Sequence, residues 1–228
     1  SNLKENWKYY LHEAEQEPEV QIELAKIREE SKNLKPEDIK VIDPAMGSGH
    51  ILIYVFEVLM QIYTSVGYSE KDAAESILKN NLYGLDIDDR AYQLAYFAVM
   101  MKALSYNRRI LTENIEPQIC AIQESNEISE DLINFVADEN LDIENDLKYL
   151  KNLFKNSKQL GSIIDVKKCD FDKLKKKLDV CLTDQSNLLK TKFIEEVHQK
   201  IIPLLKQAII LSKSYEVVVT NPPYMGVN

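Results

Sequence analysis

Three short stretches of this 228-residue chain carry small, acidic and amide residues in arrangements that suit ligand binding and group transfer. The first, DPAMGSGH, begins at Asp43 and contains Gly47 and Gly49. Glycines just before a helix let the backbone approach a ligand, and the first amides of that helix can bind a carboxylate while Asp43 holds a cationic amine. The alternative interpretation is a turn that only lets the helix pack.

The combination suits the amino-acid end of S-adenosylmethionine better than a pyrophosphate. A dinucleotide-binding motif would place a third glycine three residues after Gly49, where Leu52 stands. The second stretch, YGLDID, adds Asp86 at the end of a predicted strand, where a carboxylate can accept hydrogen bonds from both ribose hydroxyls of an adenosine. Asp88 and Asp89 are better explained as caps of the following helix.

The third stretch is NPPY, at residues 221–224. Two successive prolines fix the backbone, so the side-chain oxygen of Asn221 and a proline carbonyl point in constant directions. Both oxygens can accept hydrogen bonds from one planar amino group, and Tyr224 offers a ring on which a base extruded from its helix can stack. Without a preceding cofactor loop, the same residues would be interpreted as a rigid turn.

The elements that position these stretches are predicted from the hydrophobic pattern. Strands are predicted at residues 39–43, 81–86, 118–122 and 215–220, the last one buried, and they alternate with helices. Helices are predicted at residues 50–66, 69–80 and 88–102, and Leu94, Ala95, Ala98 and Met101 form one face of the third. A further long helix later in the chain is expected to be kinked by Pro203. Alternating strands and helices predict an α/β fold with a mostly parallel sheet, whose carboxyl-end edge collects the three motifs.

Four segments are predicted along the chain. Residues 1–36 form a helical N-terminal arm, with one helix marked by Leu3, Trp7, Tyr10, Leu11 and Ala14 and a second by Val20, Leu24 and Ile27. Residues 37–125 are the first part of a cofactor-binding core, and residues 126–160 are an acidic, helical insertion. Residues 161–228 are the second part of the core and end in the NPPY loop.

Composition limits the function classes. The formal net charge of −9 is the wrong sign for a surface that grips DNA, so a DNA substrate would need most of its contacts from another region. The cysteines at 120, 169 and 181 match neither a zinc pattern nor a redox pair, and no metal site is predicted. The longest apolar run, residues 51–60, is far shorter than the roughly 20 residues of a membrane span, and a cytoplasmic location is expected.

The motifs together resemble a known superfamily. DPAMGSGH, YGLDID and VVVTNPPY, in that order, resemble motifs I, II and IV of the amino-methyltransferases, and in particular of adenine-specific DNA methyltransferases. WKYYLHEAEQEPEV and NPPYMG are similar to the methyltransferases of bacteriophage-exclusion defence systems and to fused restriction and modification enzymes. The resemblance implies a Rossmann-like, S-adenosylmethionine-dependent methyltransferase that modifies adenine N6 in double-stranded DNA for phage defence or restriction-modification. It also implies other defence-system proteins as partners.

The resemblance assigns roles to two sets of residues. The cofactor set is Asp43, Pro44, Ala45, Gly47, Ser48, Gly49 and His50 around the methionine part, Asp86 at the ribose and Ile87 at the adenine. The target set is Asn221, Pro222, Pro223 and Tyr224. The family's third motif often carries an Asp at the cofactor adenine, and Ser162 stands there in this sequence, which departs from the pattern.

Several alternatives stay open. NPPY also serves methyltransferases that act on cytosine N4, on RNA bases and on protein glutamine, because each presents a planar amino group. A rival of another class is a non-catalytic cofactor-binding or scaffold module. Family members continue past NPPY with further strands and a target-recognition region, so the chain by itself is expected to be inactive. The strand at residues 215–220 is then expected to be a bare sheet edge through which the chain self-associates.

Overall fold

The computed structural model describes residues 3–167, 169–183 and 188–222. Its centre is a sheet of four parallel strands in the order β3-β2-β1-β4. The strands are β1 (Val41–Asp43), β2 (Leu82–Asp86), β3 (Gln118–Ala121) and β4 (Val217–Val218). Val41 pairs with Leu82 of β2 and with Val217 of β4. The predicted α/β fold with a parallel, Rossmann-like sheet is confirmed.

Ten α-helices accompany the sheet in the part of the chain that the structure describes. They are α1 (Pro18–Ser31), α2 (His50–Ser65), α3 (Glu70–Ser76), α4 (Asp89–Tyr106), α5 (Glu130–Ala137), α6 (Leu141–Leu153), α7 (Ser157–Leu160), α8 (Phe171–Thr183), α9 (Leu188–Glu196) and α10 (Ile202–Leu211). Short 3-10 turns occur at Leu3–Asn6, Pro36–Asp38 and Gly161–Ile163, and π turns at Ile77–Asn81 and Val197–Ile201. None of the helices described is long and apolar enough to cross a membrane.

Helices α2, α3 and α4 share one core with the sheet. Leu52, Phe56 and Tyr63 of α2 are fully buried there. The predicted face of α4 is partly wrong, because Leu94 and Met101 are 59% and 51% exposed. The buried residues of α4 are instead Ala95, Val99, Met100 and Ala103. A small residue, Ala95, faces inward where α4 passes close to Gly49 at the start of α2, a constraint that hydrophobic spacing does not reveal.

A second core lies among the helices after β3. Helices α5 and α6 of the predicted insertion pack there with α8 and α10, through residues such as Leu132, Leu147, Leu174 and Leu204. The lysine-rich α8 is held by acidic partners, since Lys173 pairs with Asp142 and Lys177 with Asp138. The predicted interruption near Pro203 is confirmed. A π turn at Val197–Ile201 comes immediately before α10, whose second residue is Pro203 and lacks an N–H to donate.

The N-terminal arm differs from its prediction. The second predicted helix exists as α1, but the first does not, because only Leu3–Asn6 forms a 3-10 turn and residues 7–17 are not helical. The indole nitrogen of Trp7 donates to Oε1 of Gln61 at 3.1 Å, and the backbone N–H of Tyr9 donates to the hydroxyl of Tyr54 at 3.3 Å. The Tyr9 amide therefore bonds to α2 instead of to a carbonyl one helical turn earlier.

Strand β4 is also different from its prediction. The sequence predicts a buried strand over residues 215–220, whereas β4 has two residues and both are exposed, Val217 at 42% and Val218 at 64%. The physical reason is position, because β4 is an edge of the sheet described here and pairs only with β1 on one side. An edge strand with free backbone groups was expected, and self-association through it stays a prediction.

Candidate functional site

The loops that follow β1, β2 and β4 meet at one edge of the sheet. Parallel strands end on the same side, so Asp43, Asp86 and Asn221 all lie at or after carboxyl ends of neighbouring strands. The backbone N–H of Gly47 donates to Oδ2 of Asp86 at 2.8 Å, which joins the first loop to the second. The structure therefore brings together the motifs that sequence reasoning had placed in one site.

Asp43 is the most unusual polar residue of this site. Its side chain is fully buried, its Oδ1 accepts from the N–H of Ala45 at 3.1 Å, and its Oδ2 has no partner among the residues described. Burial raises the pKa of Asp43, and the nearby Asp86 acts in the same direction, whereas hydrogen bonds from Thr220 and Ala45 lower it. A buried carboxylate oxygen without a donor costs free energy unless a ligand supplies one.

Met46 anchors the glycine-rich loop to strand β2. The N–H of Met46 donates to the carbonyl of Leu85 at 3.0 Å, and its side chain is buried. A Cβ added to Gly84 of β2 would lie 2.6 Å from Sδ of Met46 and 3.0 Å from Cδ1 of Leu52. Sequence reasoning missed both Met46 and Gly84, although a glycine inside a strand is itself a sign of close approach.

Glycine is required at positions 47 and 49 for different structural reasons. Both have positive φ, +52° and +85°. A Cβ on Gly49 would lie 3.0 Å from Cα of Ala95 in α4, so this glycine lets two helices pack. A Cβ on Gly47 would meet nothing within 4 Å, so the space above this loop is open. The packing interpretation therefore explains Gly49 but does not explain the open side of the loop.

The other residues of the first loop lie on its accessible side. Ser48 and His50 are exposed, and Pro44 and Ala45 are half-buried. Gly49 is the residue before α2, so the first turn of that helix points its amides toward this loop. His50 begins α2 and faces the same groove as Asn221.

The carboxylate of Asp86 holds the first and second loops together through hydrogen bonds. Its Oδ1 accepts from the N–H of Asp88 at 2.9 Å, while Oδ2 takes the Gly47 amide described above. Each carboxylate oxygen keeps further lone pairs, so a ribose hydroxyl can still bind. Ile87 is 50% exposed. Asp88 caps α4, accepting from the N–H of Arg90 at 2.8 Å, as predicted.

Ser162 lies in the 3-10 turn Gly161–Ile163 and is half-buried. The turn comes close to the second loop, because a Cβ on Gly161 would lie 3.7 Å from Cγ2 of Ile87. Asp89 also lies on this side, where it accepts from Nζ of Lys158 at 2.8 Å. Burial acts to raise the pKa of Asp89, but Lys158 and the side chain of Gln123 outweigh it, and the pKa is lowered.

The loop after β3 ends at the same edge of the sheet, and the sequence analysis did not consider it. Gln123 follows β3, and its Nε2 donates to Oδ1 of Asp89 at 2.5 Å. Its backbone is clamped by the fully buried Gln207 of α10, which accepts from the Gln123 N–H at 2.7 Å and donates to its carbonyl at 2.9 Å. The predicted strand at residues 118–122 could have indicated this loop, since the carboxyl ends of parallel strands all lie at the same edge of the sheet.

The third loop begins after β4. Asn221 and Pro222 are exposed, while Pro223 and Tyr224 lie outside the described residues. Asn221 lines an open groove of about 870 Å³ together with Val219 and His50. The residue before it, Thr220, acts to lower the pKa of Asp43, so its side chain lies near that carboxylate. Asn221 is thus one residue from a neighbour of the buried carboxylate.

Two models of known protein families match this chain. A model described as Eco57I restriction-modification methylase matches residues 80–228, and one described as N-6 DNA Methylase matches residues 23–115. The chain belongs to the Eco57I restriction-modification methylase family. The two matches together include all three motif-bearing loops of this family member.

Curated relatives agree with that membership. The chain is 40% identical over 252 residues to the adenine-specific methyltransferase BrxX of Escherichia coli O9:H4 (strain HS), covering 99% of this chain and 20% of that protein. It is 39% identical over 225 residues to the adenine-specific methyltransferase PglX of Lacticaseibacillus casei (strain Zhang), covering 97% and 18%. The chain therefore spans about a fifth of the length of these two relatives.

A third relative matches a shorter part. A putative type II restriction enzyme and methyltransferase of Methanocaldococcus jannaschii is 41% identical over 63 residues, which is 25% of this chain and 5% of that protein. The names of the first two relatives describe adenine-specific methyltransferases, and one of the two family descriptions refers to N-6 DNA methylation.

Proposed function

We propose that this chain is the cofactor-binding and amino-group-binding part of an S-adenosylmethionine-dependent enzyme that methylates N6 of adenine in DNA. The observation that carries the proposal is the fully buried Asp43, which keeps one carboxylate oxygen without a partner among the described residues, beside an open glycine loop. The relatives named as adenine-specific methyltransferases support the choice of adenine as the target.

The residues present fit the proposed cofactor. The free oxygen of Asp43 suits an ammonium group, and the open space at Gly47 lets the backbone approach the amino-acid part. Asp86 keeps lone pairs for ribose hydroxyls, and the half-exposed Ile87 offers an apolar surface to an adenine ring. Pro44, Ala45, Ser48, His50 and Ser162 complete the proposed surroundings. When bound, S-adenosylmethionine supplies an electrophilic methyl group.

The target amino group would bind at the third loop. The side-chain oxygen of Asn221 and the carbonyl of Pro222 are proposed to accept its two N–H hydrogens, which orients the nitrogen lone pair and increases its electron density. Pro223 is proposed to keep this loop rigid, and Tyr224 to stack on the base. The chain contributes orientation and hydrogen bonding here, and no cysteine nucleophile is required.

Double-stranded DNA is the proposed substrate of the complete protein, in phage defence or restriction-modification. The chain has a net charge of −9, and two lysines of α8, Lys173 and Lys177, are each paired with an aspartate. Phosphate contacts must therefore come largely from elsewhere in the protein or from a partner of the same defence system.

The test is methyl transfer by the complete protein from labelled S-adenosylmethionine to unmethylated duplex DNA, RNA and protein extract in parallel. We expect label as N6-methyladenine, and an Asn221→Ala variant with kcat lower by about 10²- to 10³-fold and with cofactor binding retained. Asn152→Ala, at an exposed position of α6, is the matched control and should keep full activity.

Each other outcome would change the conclusion. Full activity of Asn221→Ala would remove the assigned role of the third loop. Label in RNA or protein alone would replace adenine in DNA as the substrate. Tight cofactor binding by the complete protein without label in any sample would favour a non-catalytic cofactor-binding module.

A further inference from the structure

The groove that contains Asn221 is also bordered by the N-terminal arm. Its walls include Trp7, Lys8 and Tyr9 from the arm, His50 and Tyr54 from α2, and Asn221 after β4. A volume of about 870 Å³ lies within the roughly 300–1,000 Å³ of sites that bind organic ligands. The groove therefore extends from the amino-group acceptor to a cluster of aromatic rings.

The aromatic wall is fixed to α2 by specific contacts. Trp7 bonds to Gln61 and the backbone of Tyr9 to Tyr54, as described above. The rings of Tyr9 and Tyr54 meet edge to face, with centroids 4.9 Å apart. A backbone hydrogen bond from Tyr10 to Trp7 closes the turn between them. The arm thus presents its rings on a preformed support.

The same wall carries positive charge. Nζ of Lys8, which lines the groove, lies 5.1 Å from the ring centroid of Tyr9. The acidic residue of the groove, Glu57, is paired with Lys102 at 2.5 Å. Tyr9 is 65% exposed, which is a large exposure for a ring that is already oriented by its neighbours.

We propose that this groove binds the nucleotides that flank the target base, with Tyr9 as a stacking surface and Lys8 as a phosphate contact. The proposal rests on the function proposed above, because a base extruded to Asn221 leaves its neighbours partly unstacked beside it. Every base has a π face, so aromatic stacking with nearby cations binds unpaired nucleotides of any sequence. The arm then adds substrate affinity without reading sequence.

The test compares variants of the complete protein on an unmethylated duplex that contains its recognition site, which sequencing of methylated DNA would identify. Tyr9→Ala is expected to raise the KM for DNA about 5- to 150-fold, the range of one lost stacking contact, and to leave the dissociation constant for S-adenosylmethionine unchanged. Tyr9→Phe keeps the ring and should restore the KM for DNA. Leu11→Ala, on the same arm at an 85% exposed position, is the control.

Lys8 gives a second, independent measurement. Lys8→Gln is expected to reduce the slope of log affinity for DNA against log salt concentration by about 0.7 to 0.9, the effect of one phosphate contact. Unchanged KM for DNA in Tyr9→Ala together with an unchanged salt slope in Lys8→Gln would overturn the nucleotide groove and point to a protein as its occupant. Absence of N6-methyladenine with the unsubstituted protein would instead overturn the proposed function, so the two failures are distinguishable.

Discussion

Replacing Asp43 with Asn tests the chemical role of the buried carboxylate most directly. The side chains have the same shape, and the retained oxygen can still accept from the Ala45 amide. What is lost is the negative charge on the oxygen that has no partner among the described residues. A hydrogen bond to a charged group contributes about 1.5–3 kcal/mol, so the affinity for S-adenosylmethionine should fall about 10- to 150-fold.

The effect on stability should have the opposite sign. Burial raises the pKa of Asp43 above its ordinary value of 3.8, so the folded protein binds this proton more tightly than the unfolded chain does. Its favourable contribution to stability is therefore present in acid and is lost as the pH rises through the raised pKa. Asp43→Asn lacks that loss, and its cofactor-free form should be at least as stable as the unsubstituted protein at neutral pH.

The same pKa predicts how cofactor binding depends on pH. Only the ionised carboxylate pairs with an ammonium group, so the affinity of the unsubstituted protein should decrease on acidification, beginning above the ordinary range of an Asp. The affinity of Asp43→Asn should be flat over that interval. Titration calorimetry with S-adenosylmethionine at several pH values, and melting of the cofactor-free proteins, measure both effects.

A matched control is available at Asp88. Its pKa is lowered by hydrogen bonds from the backbone and side chain of Arg90, and it caps α4 on the protein surface. Asp88→Asn should leave the cofactor affinity unchanged, since asparagine is also a good cap. An Asp43→Asn variant that bound S-adenosylmethionine within about twofold of the unsubstituted protein, or that lost stability at neutral pH, would contradict the role proposed for this carboxylate.

Two further predictions concern residues that shape the site. Gly49→Ala should lower the free energy of unfolding by about 2–5 kcal/mol, because it adds both left-handed backbone strain and a steric clash with α4. Gly47→Ala adds only the backbone strain and should lower it by about 1–2 kcal/mol. Denaturant unfolding of the two variants measures the difference. Gln207→Leu leaves the N–H of Gln123 unpaired and should cost about 1–3 kcal/mol, while Gln159→Leu at an exposed position should change stability little, and equal unfolding midpoints for these two variants would contradict the clamp.

The local signals in the sequence were sufficient for much of the sheet and its caps. Ser69 accepts from the N–H of Asp72 and begins α3, as the spacing predicts, and Asp88 begins α4. These features depend on residues three or fewer positions apart, so nothing distant can override them easily. The parallel sheet was predictable for a related reason, because strands that alternate with helices have few possible connections.

The errors came from positions where a distant surface decides the outcome. Trp7 and Tyr10 have helical spacing, but Trp7 and the Tyr9 backbone bond instead to α2, more than forty residues away. Leu94 and Met101 are apolar yet exposed, because the inward face of α4 is set by contact with Gly49. Val217 and Val218 have the composition of a buried strand but lie at an edge.

The sequence by itself determined which residues carry chemistry and in which order they follow the strands. It could not show which of the two carboxylates is fully hydrogen-bonded and which keeps an unpaired oxygen, since Asp43 and Asp86 each end a strand. The register decided that, because Asp43 pairs with Gly84 and Asp86 therefore extends two residues farther, where the amides of Gly47 and Asp88 reach it. Asp43 remains buried with one oxygen unpaired by the described residues, and only tertiary packing can create that imbalance.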